Sequence, residues 1–330
     1  MTWKLSVLKA GTKLRLRPYS PPSGVLFPCA HMISDTIPLH VRHLHAVPSI
    51  AKFKSDVEFL CQHYRPLQLS ELERIQGLRN KKESARYFVL SFDDGLREAY
   101  DVIAPILRNK GIPAIFFLNS ATIDNRQLMW RHKVSLLIDR SRQAPGRIPP
   151  RLRVRSTEGL AASLKALRSA NEFNLDDIAK FFELDFDEYL QRVRPYLTTA
   201  QILELARAGF EFGAHSESHP YFNEITVEDQ KEQVSESVRS IRALGIPCRY
   251  FAFPFHDNGV STSVFKHMTD LGLILSFGTS EARFDSVPFS IQRFSLEVGN
   301  GDLSIENLLK QLSIKSAVRR LSRTDVIHRN

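Results

Sequence analysis

The sequence has no long apolar run. Its longest runs have the length of a strand, such as residues 114–118, far below the ~20 residues that a transmembrane helix needs. The first residues also lack the apolar segment and the small-residue cleavage site of a secretory signal. We therefore expect a protein of the cytoplasm, for which peripheral attachment to a membrane stays open.

Cysteine is scarce, and the three cysteines, Cys29, Cys61 and Cys248, lie far apart. An odd number without a Cys-x-x-Cys pair predicts neither a disulfide framework nor a cysteine zinc knuckle. Repeats and low-complexity tracts are also missing, and 43% hydrophobic with 25% charged residues is ordinary for a globular protein. The composition excludes a disordered, collagen-like or coiled-coil chain. The 330 residues suffice for one large domain or two ordinary ones.

Acidic residues are outnumbered, because 45 lysines and arginines stand against 36 aspartates and glutamates and give a net charge of +9. The basic residues are densest at 140–155 and 319–323. Such clusters either attract anionic partners, such as phospholipid headgroups or phosphate-linked substrates, or form solvated loops and tails. No zinc-finger, RNA-recognition or helix-turn-helix signature accompanies them, so nucleic acid is not favoured as a partner.

Short apolar runs alternate with helix-like segments along the chain. The predicted strands are residues 25–30, 87–92, 114–118, 210–213, 250–253, 274–277 and 290–296. Helical spacing over 96–109 and over 226–244 ends each time at a Gly-Ile-Pro sequence. Alternating strands and helices predict a mostly parallel sheet. About seven strands then predict a distorted (β/α)7-type barrel.

Residues 124–199 break this alternation, and we predict that they form a largely helical insertion after the third strand. Segments that follow barrel strands lie at the C-terminal mouth of the barrel. The insertion is therefore expected near that mouth, either as a cap over the site or as an inert addition. The predicted organisation is an N-terminal extension over 1–24, a barrel over 25–300 and a helical, basic tail over 301–330.

Two groups of polar residues directly follow predicted strands. Asp93 and Asp94 precede Gly95, and buried charges there are costly unless they are paired or bind a metal. One of the two aspartates has a simpler explanation as the cap of the next helix. His215 and His219 are four residues apart, a spacing common among ligands of Zn²⁺. Two histidines and one carboxylate at adjacent strand ends would form a three-ligand catalytic metal site.

These segments resemble the motifs of the polysaccharide deacetylases, carbohydrate esterase family 4. Ser-Phe-Asp-Asp-Gly at 91–95 and the run at 111–117 are similar to the first motif, and His-Ser-Glu-Ser-His-Pro at 215–220 is similar to the second. Weaker likenesses lie at 251–255, 26–31 and 45–72. The resemblance covers roughly 25–120 and 200–300. It implies a distorted (β/α) barrel and a metal-dependent hydrolase that removes an N-acetyl or O-acetyl group from a carbohydrate.

Carried over by position, the resemblance makes Asp93 the general base and Asp94, His215 and His219 the ligands of one divalent metal. Zinc is the first expectation, with cobalt or another divalent ion as alternatives. A backbone N–H near Phe255 would bind the developing oxyanion. The expected substrate is an acetylated carbohydrate, and a lipid or nucleotide linkage would suit the basic charge balance and the expected cytoplasmic location.

The chain departs from the family pattern at an arginine. Ala252 stands where most members carry arginine before the proline at Pro254. We predict that Arg283 or Arg293 replaces it, either by orienting Asp93 or by binding an anionic group of the substrate.

A second departure concerns the catalytic acid, because no Leu-x-His motif lies near the last strand. His256 follows a strand end and is the predicted acid, since imidazole titrates near neutrality. His31 also follows the end of a predicted strand and is a second candidate for the acid. The alternative for both is an ordinary structural histidine.

Two other functions stay open on the sequence alone. One is a catalytically inactive, carbohydrate-binding relative, which the missing arginine and the missing Leu-x-His favour and the intact aspartates and histidines oppose. The other is a deacylase of a small amide that is not a sugar. Metal content separates the binding protein from either enzyme, because binding alone does not require a metal.

Overall fold

A computed structural model describes residues 22–68, 70–71, 86–150, 152, 154, 156–169 and 174–330 of the chain. Of the predicted segments, the extension over 1–24 lies outside the described residues except for its last three. Residues 69 and 72 of the segment 45–72, and 151, 153 and 155 of the basic cluster, also lie outside them.

The strands in the described ranges are β1 (Gly24–Leu26), β2 (Pro28–Ala30), β3 (Arg65–Pro66), β4 (Arg86–Phe88), β5 (Leu90–Phe92), β6 (Ala114–Leu118), β7 (Glu211–Ala214), β8 (Tyr250–Ala252), β9 (Leu275–Gly278), β10 (Phe284–Asp285), β11 (Ser290–Gln292), β12 (Phe294–Ser295) and β13 (Val326–Ile327). The α-helices are α1 (Ile50–His63), α2 (Ala104–Arg108), α3 (Trp130–Gln143), α4 (Thr157–Ala166), α5 (Leu175–Phe181), α6 (Phe186–Val193), α7 (Thr199–Arg207), α8 (Val227–Ala243), α9 (Thr262–Asp270) and α10 (Ile305–Leu321). Among the described residues, no helix combines the length and apolar character needed to cross a membrane.

Eight of the strands form one parallel sheet in the order β11, β9, β8, β7, β6, β5, β2, β12. The two end strands, β11 and β12, are consecutive in the chain and are separated only by Arg293. Because β11 pairs with β9 and β12 pairs with β2, the sheet closes on itself. Together β11 and β12 occupy one position, so the barrel has seven positions. This confirms the predicted distorted (β/α)7-type barrel.

Two of the predicted strands are divided. Residues 25–30 and 87–92 are interrupted at Phe27 and Val89. Their first halves, β1 and β4, pair with each other in a separate parallel sheet, in which β4 also pairs with β3. The interruption is small, because Val89 N–H still donates to Leu26 O across 2.9 Å. Their second halves, β2 and β5, belong to the barrel.

Alternate residues of the barrel strands belong to two different cores. In β6, Ile115 and Phe117 pack with Phe277 and other residues that face the barrel interior. Phe116 belongs instead to the cluster that includes helix residues such as Phe53. This follows from the two-residue period of a strand, and strands buried on both faces are apolar throughout.

Residues 96–109, predicted as one helix, contain a change of helix type. A π-helical turn, Ala99–Ile103, precedes α2, and Ala104 N–H donates to Ala99 O. Pro105 has no N–H to give to a carbonyl in the preceding turn, which explains why regular hydrogen bonding fails at this point.

The segment predicted as a helical insertion, 124–199, contains the four helices α3 to α6. Side chains of Ser156, Asn174 and Asp185 accept hydrogen bonds at the N-termini of three of them, as caps do. These helices share a third hydrophobic cluster, which also contains Leu96 from the barrel side. Trp130 Nε1, at the start of α3, donates to His219 O across 2.9 Å, so the insertion adjoins the mouth.

Candidate active site and metal centre

The polar residues singled out in the sequence lie where parallel barrel strands end. Asp93 and Asp94 directly follow β5, and His215 directly follows β7. The strand between them is β6, and His215 N–H donates to Leu118 O at its end across 2.8 Å. Neighbouring strand ends thus bring distant parts of the chain together at the mouth.

Asp94, His215 and His219 form a buried cluster. Asp94 Oδ1 lies 3.3 Å from His219 Nε2 and 3.5 Å from His215 Nε2, and none of the three residues is more than 4% exposed. Among the described residues, none of these three atoms has a hydrogen-bond partner. Buried polar atoms without partners are costly. The cluster therefore has the character of a binding site for a further group.

The donor set of this cluster fits a divalent metal ion. His215 Nδ1 lies 2.8 Å from Ala252 O, a contact that places the proton on Nδ1 and leaves the Nε2 lone pair for a ligand. Bonds of ~2.0–2.1 Å around a tetrahedral ion separate its ligand atoms by about 3.3 Å, which matches the distances from Asp94. Two imidazoles and one carboxylate leave a fourth position for water or substrate.

The protonation states also suit a metal. Burial lowers the pKa of His215 to about 4, so its imidazole is neutral at pH 7. Burial favours the protonated form of Asp94, but His219, followed by His31, more than offsets this and holds the pKa of Asp94 well below its usual range. A neutral imidazole and an ionised carboxylate are the forms that bind a metal.

Left-handed backbone is concentrated around this cluster. Among the described residues, ten that are not glycine have positive φ, and four of them are Asp94 (69°), Ser216 (65°), His219 (60°) and Phe255 (56°). Each such conformation costs on the order of 1–3 kcal/mol and persists where the surrounding structure enforces it, often at functional sites. Gly95, at φ 63°, continues the turn after Asp94 without a Cβ penalty.

Asp93 is paired with a buried arginine instead of joining the cluster. Its two carboxylate oxygens each accept a hydrogen bond of 2.7 Å from Arg293, which also donates to Ser91 Oγ. Burial alone would raise the pKa of Asp93, but Arg293, ahead of His215, lowers it below its usual value. Of the two roles predicted for Arg293, this contact corresponds to orienting Asp93, since the arginine is wholly buried.

A histidine–glutamate pair lies at the adjacent strand end. His31 follows β2, and Asp93 N–H donates to Ala30 O across 3.0 Å, which places His31 next to Asp93 on the neighbouring strand. His31 Nδ1 lies 2.6 Å from Glu297 Oε2. Burial lowers the pKa of His31, but the charge and hydrogen bond of Glu297, together with the charges of Asp94 and Asp93, outweigh burial and raise the pKa to about 10. His31 is therefore protonated at neutral pH.

His45 completes this pair on one side. Its ring stacks on that of His31 at a centroid distance of 4.7 Å, and its Nδ1 lies 3.6 Å from Glu297 Oε1. His31, His45 and Glu297 together are a second group of residues whose side chains could bind a metal ion. However, Glu297 already accepts hydrogen bonds from His31 Nδ1 and from the N–H groups of His31 and Met32. The arrangement is that of a proton-holding pair.

An aromatic wall, formed by Phe255, Tyr221 and Trp130, borders the cluster. Phe255 stacks on Tyr221 at 3.6 Å and meets the ring of His219 edge-on at 4.6 Å. Trp130 lies 6.3 Å from Phe255. A cavity of ≈ 720 Å³ adjoins Trp130 and Tyr221, between the insertion and α8. The ring of Tyr221 is covered by Phe255 and by the guanidinium of Arg168, at 4.0 Å, and Trp130 is buried.

The ring of His256, the predicted acid, lies 5.9 Å from that of Tyr221 in the aromatic wall. The charged groups that act on it are Arg168, Asp257 and Glu224, none of which belongs to the cluster. Burial first, and then Arg168, lower its pKa, which makes its proton less available at neutral pH. The structure places His31, instead, at the strand end next to the cluster.

Two residues at this site were not predicted, and of the two predicted arginines only Arg293 pairs with Asp93 among the described residues. Glu297 directly follows the predicted strand 290–296, which is the same signal that pointed to Asp93. His45 lies in a loop and has no local signal. Arg283 lies near Arg319.

Comparisons with known proteins bear on the fold and the family. The family model for polysaccharide deacetylase matches residues 80–274. The structure is similar to the Streptococcus pyogenes deacetylase PplD in complex with acetate, with TM-score 0.57, 15% identity and coverage of 89% of this chain and 99% of that chain. It is also similar to IcaB from Ammonifex degensii, with TM-score 0.56, 15% identity and coverage of 89% of this chain and 99% of that chain.

A third similar structure is the de-N-acetylase from Aggregatibacter actinomycetemcomitans, with TM-score 0.54 and 14% identity over 87% of this chain and 99% of that chain. At these identities the likeness to solved structures shows the fold alone. Comparison with curated proteins by sequence gives no match.

Proposed function

This chain belongs to the polysaccharide deacetylase family, and from that premise we propose how its residues deacetylate a carbohydrate. As a member of the family it is a hydrolase of the carbon–nitrogen bond in an acetylated carbohydrate. The observation that carries the proposal is the buried cluster of Asp94, His215 and His219 beside the pair of Asp93 and Arg293.

We propose that Asp94, His215 and His219 hold one divalent ion, with zinc as the first expectation. Such an ion, when bound, polarises the acetyl carbonyl and lowers the pKa of water. The support is the unpartnered ligand atoms and their spacing of 3.3 and 3.5 Å. Ala252 O, through its contact with His215 Nδ1, keeps the ring oriented toward the site.

Asp93 is the proposed general base that takes the proton of the attacking water. Arg293 holds both of its oxygens in place and keeps the carboxylate ionised. Each carboxylate oxygen has a second lone pair, so the pairing with Arg293 still allows a proton to be accepted. The low pKa makes Asp93 a weak base, which suffices when the water itself is made acidic.

His31 is the proposed general acid, in place of the predicted His256. It is protonated at neutral pH because Glu297 raises its pKa to about 10. Its Nδ1 is held by Glu297, so Nε2–H is the group that gives a proton to the leaving amine nitrogen. The strand-end position next to Asp93 places acid and base side by side at the mouth.

The aromatic wall and the adjoining cavity are the proposed carbohydrate-binding surface. Phe255 lies in a left-handed turn closed by His256 N–H and Pro254 O, and its own N–H has no acceptor among the described residues. We propose that this N–H donates to the developing oxyanion. Trp130 and Tyr221 then line the cavity in which the neighbouring sugar is proposed to bind.

The finer identity of the substrate stays a prediction from the sequence. A lipid- or nucleotide-linked carbohydrate would suit the net charge of +9. Both N-acetyl and O-acetyl groups suit the proposed chemistry. The cytoplasmic location likewise stays a prediction.

The test combines metal analysis of the purified protein with acetate release from acetylated oligosaccharides. We expect about one equivalent of a divalent ion, lost in the His215→Ala/His219→Ala double variant. Asp93→Asn is expected to keep the metal and to lose turnover by on the order of 10²–10⁴-fold, as removal of a general base does.

The matched control is His267→Ala, because His267 lies in α9 and its Nε2 contacts Ser235 Oγ at 2.8 Å, outside the cluster. It is expected to keep both metal and turnover. Full metal content in the double variant contradicts the ligand assignment. Unchanged turnover in Asp93→Asn contradicts the base assignment.

A further inference from the structure

Helix α10 changes character half-way along its length. Its first half is buried through Ile305, Leu308, Leu309 and Leu312, whereas its second half carries three large apolar side chains in water. Ile314 is 47% exposed, Val318 49% and Leu321 87%. Their spacings of four and three residues put them on one side of the helix, and we call this surface the rim helix face.

The rim helix face is surrounded by positive charge. Residues 307–324 contain five basic residues and no acidic one, the basic residues being Lys310, Lys315, Arg319, Arg320 and Arg323. Lys315 pairs with Glu281 across 2.7 Å, and Arg319 donates to the carbonyl groups of residues 280 and 281. Lys310 pairs with Glu306 across 2.6 Å, and the excess of the five basic groups over Glu281 and Glu306 leaves the surface cationic.

These same contacts locate the face at the mouth of the barrel. Residues 280 and 281 follow the C-terminal end of β9, and Thr279 Oγ1 donates to Phe255 O across 2.7 Å. The chain beyond α10 is anchored as well, because β13 pairs with β10 and Arg329 donates to the carboxylates of Asp257 and Asp285. The face is thus fixed in orientation at the same end of the barrel as the aromatic wall.

We propose that the rim helix face docks on the surface of an anionic lipid bilayer. A helix with an apolar row bordered by lysine and arginine lies in the interface, its apolar side chains among the acyl chains and its basic groups at the anionic headgroups. Three partly exposed side chains offer far less than the ~800 Å² per partner that a stable dimer buries. Insertion of these three side chains among acyl chains, together with the positive charge of the helix, fits a membrane surface better than a second copy of this chain.

Docking through this face would bring the mouth of the barrel near the membrane. The surface is independent of the proposed chemistry, because none of its residues belongs to the cluster or to the aromatic wall. Its test therefore needs no substrate, and Asp93→Asn is expected to bind membranes as the unchanged chain does.

The experiment is co-sedimentation of the full chain with vesicles. Vesicles of phosphatidylcholine and phosphatidylglycerol in equal amounts should bind the protein, pure phosphatidylcholine should bind it weakly, and added salt should weaken binding. The triple variant Ile314→Ser/Val318→Ser/Leu321→Ser should lower affinity on the order of tenfold or more. Arg320→Glu/Arg323→Glu should lower affinity and flatten the salt dependence.

The matched control is Ile37→Ser, which replaces an apolar side chain of similar exposure (42%) outside α10 and should bind as the unchanged chain does. Circular dichroism establishes that each variant is folded. Absence of binding to anionic vesicles, or equal binding by the triple variant, overturns the proposal. A dimer in light scattering that the triple variant abolishes, without vesicle binding, assigns the face to a second copy and overturns it as well.

Discussion

Replacing Glu297 by glutamine removes one negative charge from the acid pair while keeping its shape. His31 Nδ1 lies 2.6 Å from Glu297 Oε2, and the charge of Glu297 is the largest of the effects that raise the pKa of His31 to about 10 against the opposing effect of burial. The carboxylates of Asp93 and Asp94 act in the same direction more weakly, and His45 stacks on the ring. Glutamine still accepts hydrogen bonds through its amide oxygen.

The size of the effect follows from the contact distance. Two unit charges about 4 Å apart interact by about 4 kcal/mol at an effective dielectric constant of ~20, which corresponds to about three pH units. Partial exposure of His31 to solvent reduces this value. A general acid works when protonated, so activity falls as the pH rises through its pKa. We therefore expect Glu297→Gln to move the alkaline limb of the pH–rate profile down by about two pH units.

The assay is acetate release across the pH range in the metal-loaded enzyme, with an acetylated oligosaccharide and with an aryl acetate as substrates. An aryl acetate has a leaving group that needs no proton, so its turnover should change little. The control is Asp139→Asn. Asp139 belongs to the insertion, and its carboxylate lies 3.5 Å from His43 Nε2, so removing this charge should leave the alkaline limb in place.

An alkaline limb that stays in place in Glu297→Gln would refute the assignment of His31 as the acid. So would an equal loss of activity on both substrates, because that result would indicate damage to the site as a whole.

Two further predictions concern the buried charges and the metal. Arg293→Ala should lower the free energy of unfolding by about 3–5 kcal/mol, because it leaves Asp93 buried without its partner. Arg293→Lys should lower this free energy less, and Arg283→Ala should leave it almost unchanged. A denaturant titration that gives equal free energies of unfolding for all three variants contradicts the pairing. Removing the metal with a chelator should lower the melting temperature, since an ion at a hundred times its Kd stabilises the fold by about 2.7 kcal/mol. The His215→Ala/His219→Ala variant should melt at one temperature with or without chelator, and a chelator effect that persists there would place the metal elsewhere.

The sequence predicted those features of the fold and the site that depend on neighbours in the chain. The seven barrel positions follow apolar runs, and the cluster of Asp94, His215 and His219 follows from two short motifs at strand ends. The division of strands at Phe27 and Val89 was not predictable, because both halves of each run are equally apolar.

The partners of the proposed acid and of Asp93 could not be identified from the sequence, because they are distant along the chain. His31 and Glu297 are 266 positions apart and Asp93 and Arg293 are 200 apart. The sequence therefore did not predict Glu297 as the partner of His31, and it could not choose between Arg283 and Arg293 as the partner of Asp93. The choice between His256 and His31 depends on the charges around them, which only the closed barrel brings together.

The closure of the barrel at Arg293 also has a consequence for synthesis of the chain. Cys29 and Phe294, which are hydrogen-bonded across the closure, are 265 residues apart, and ribosomes add about 5–20 residues per second. The edge of β2 that pairs with β12 therefore waits roughly 13–50 s for its partner, and an unpaired strand edge is a template for association with other chains. Because Arg293 lies between β11 and β12, its pair with Asp93 cannot form in a nascent chain before the closing strands have been synthesised.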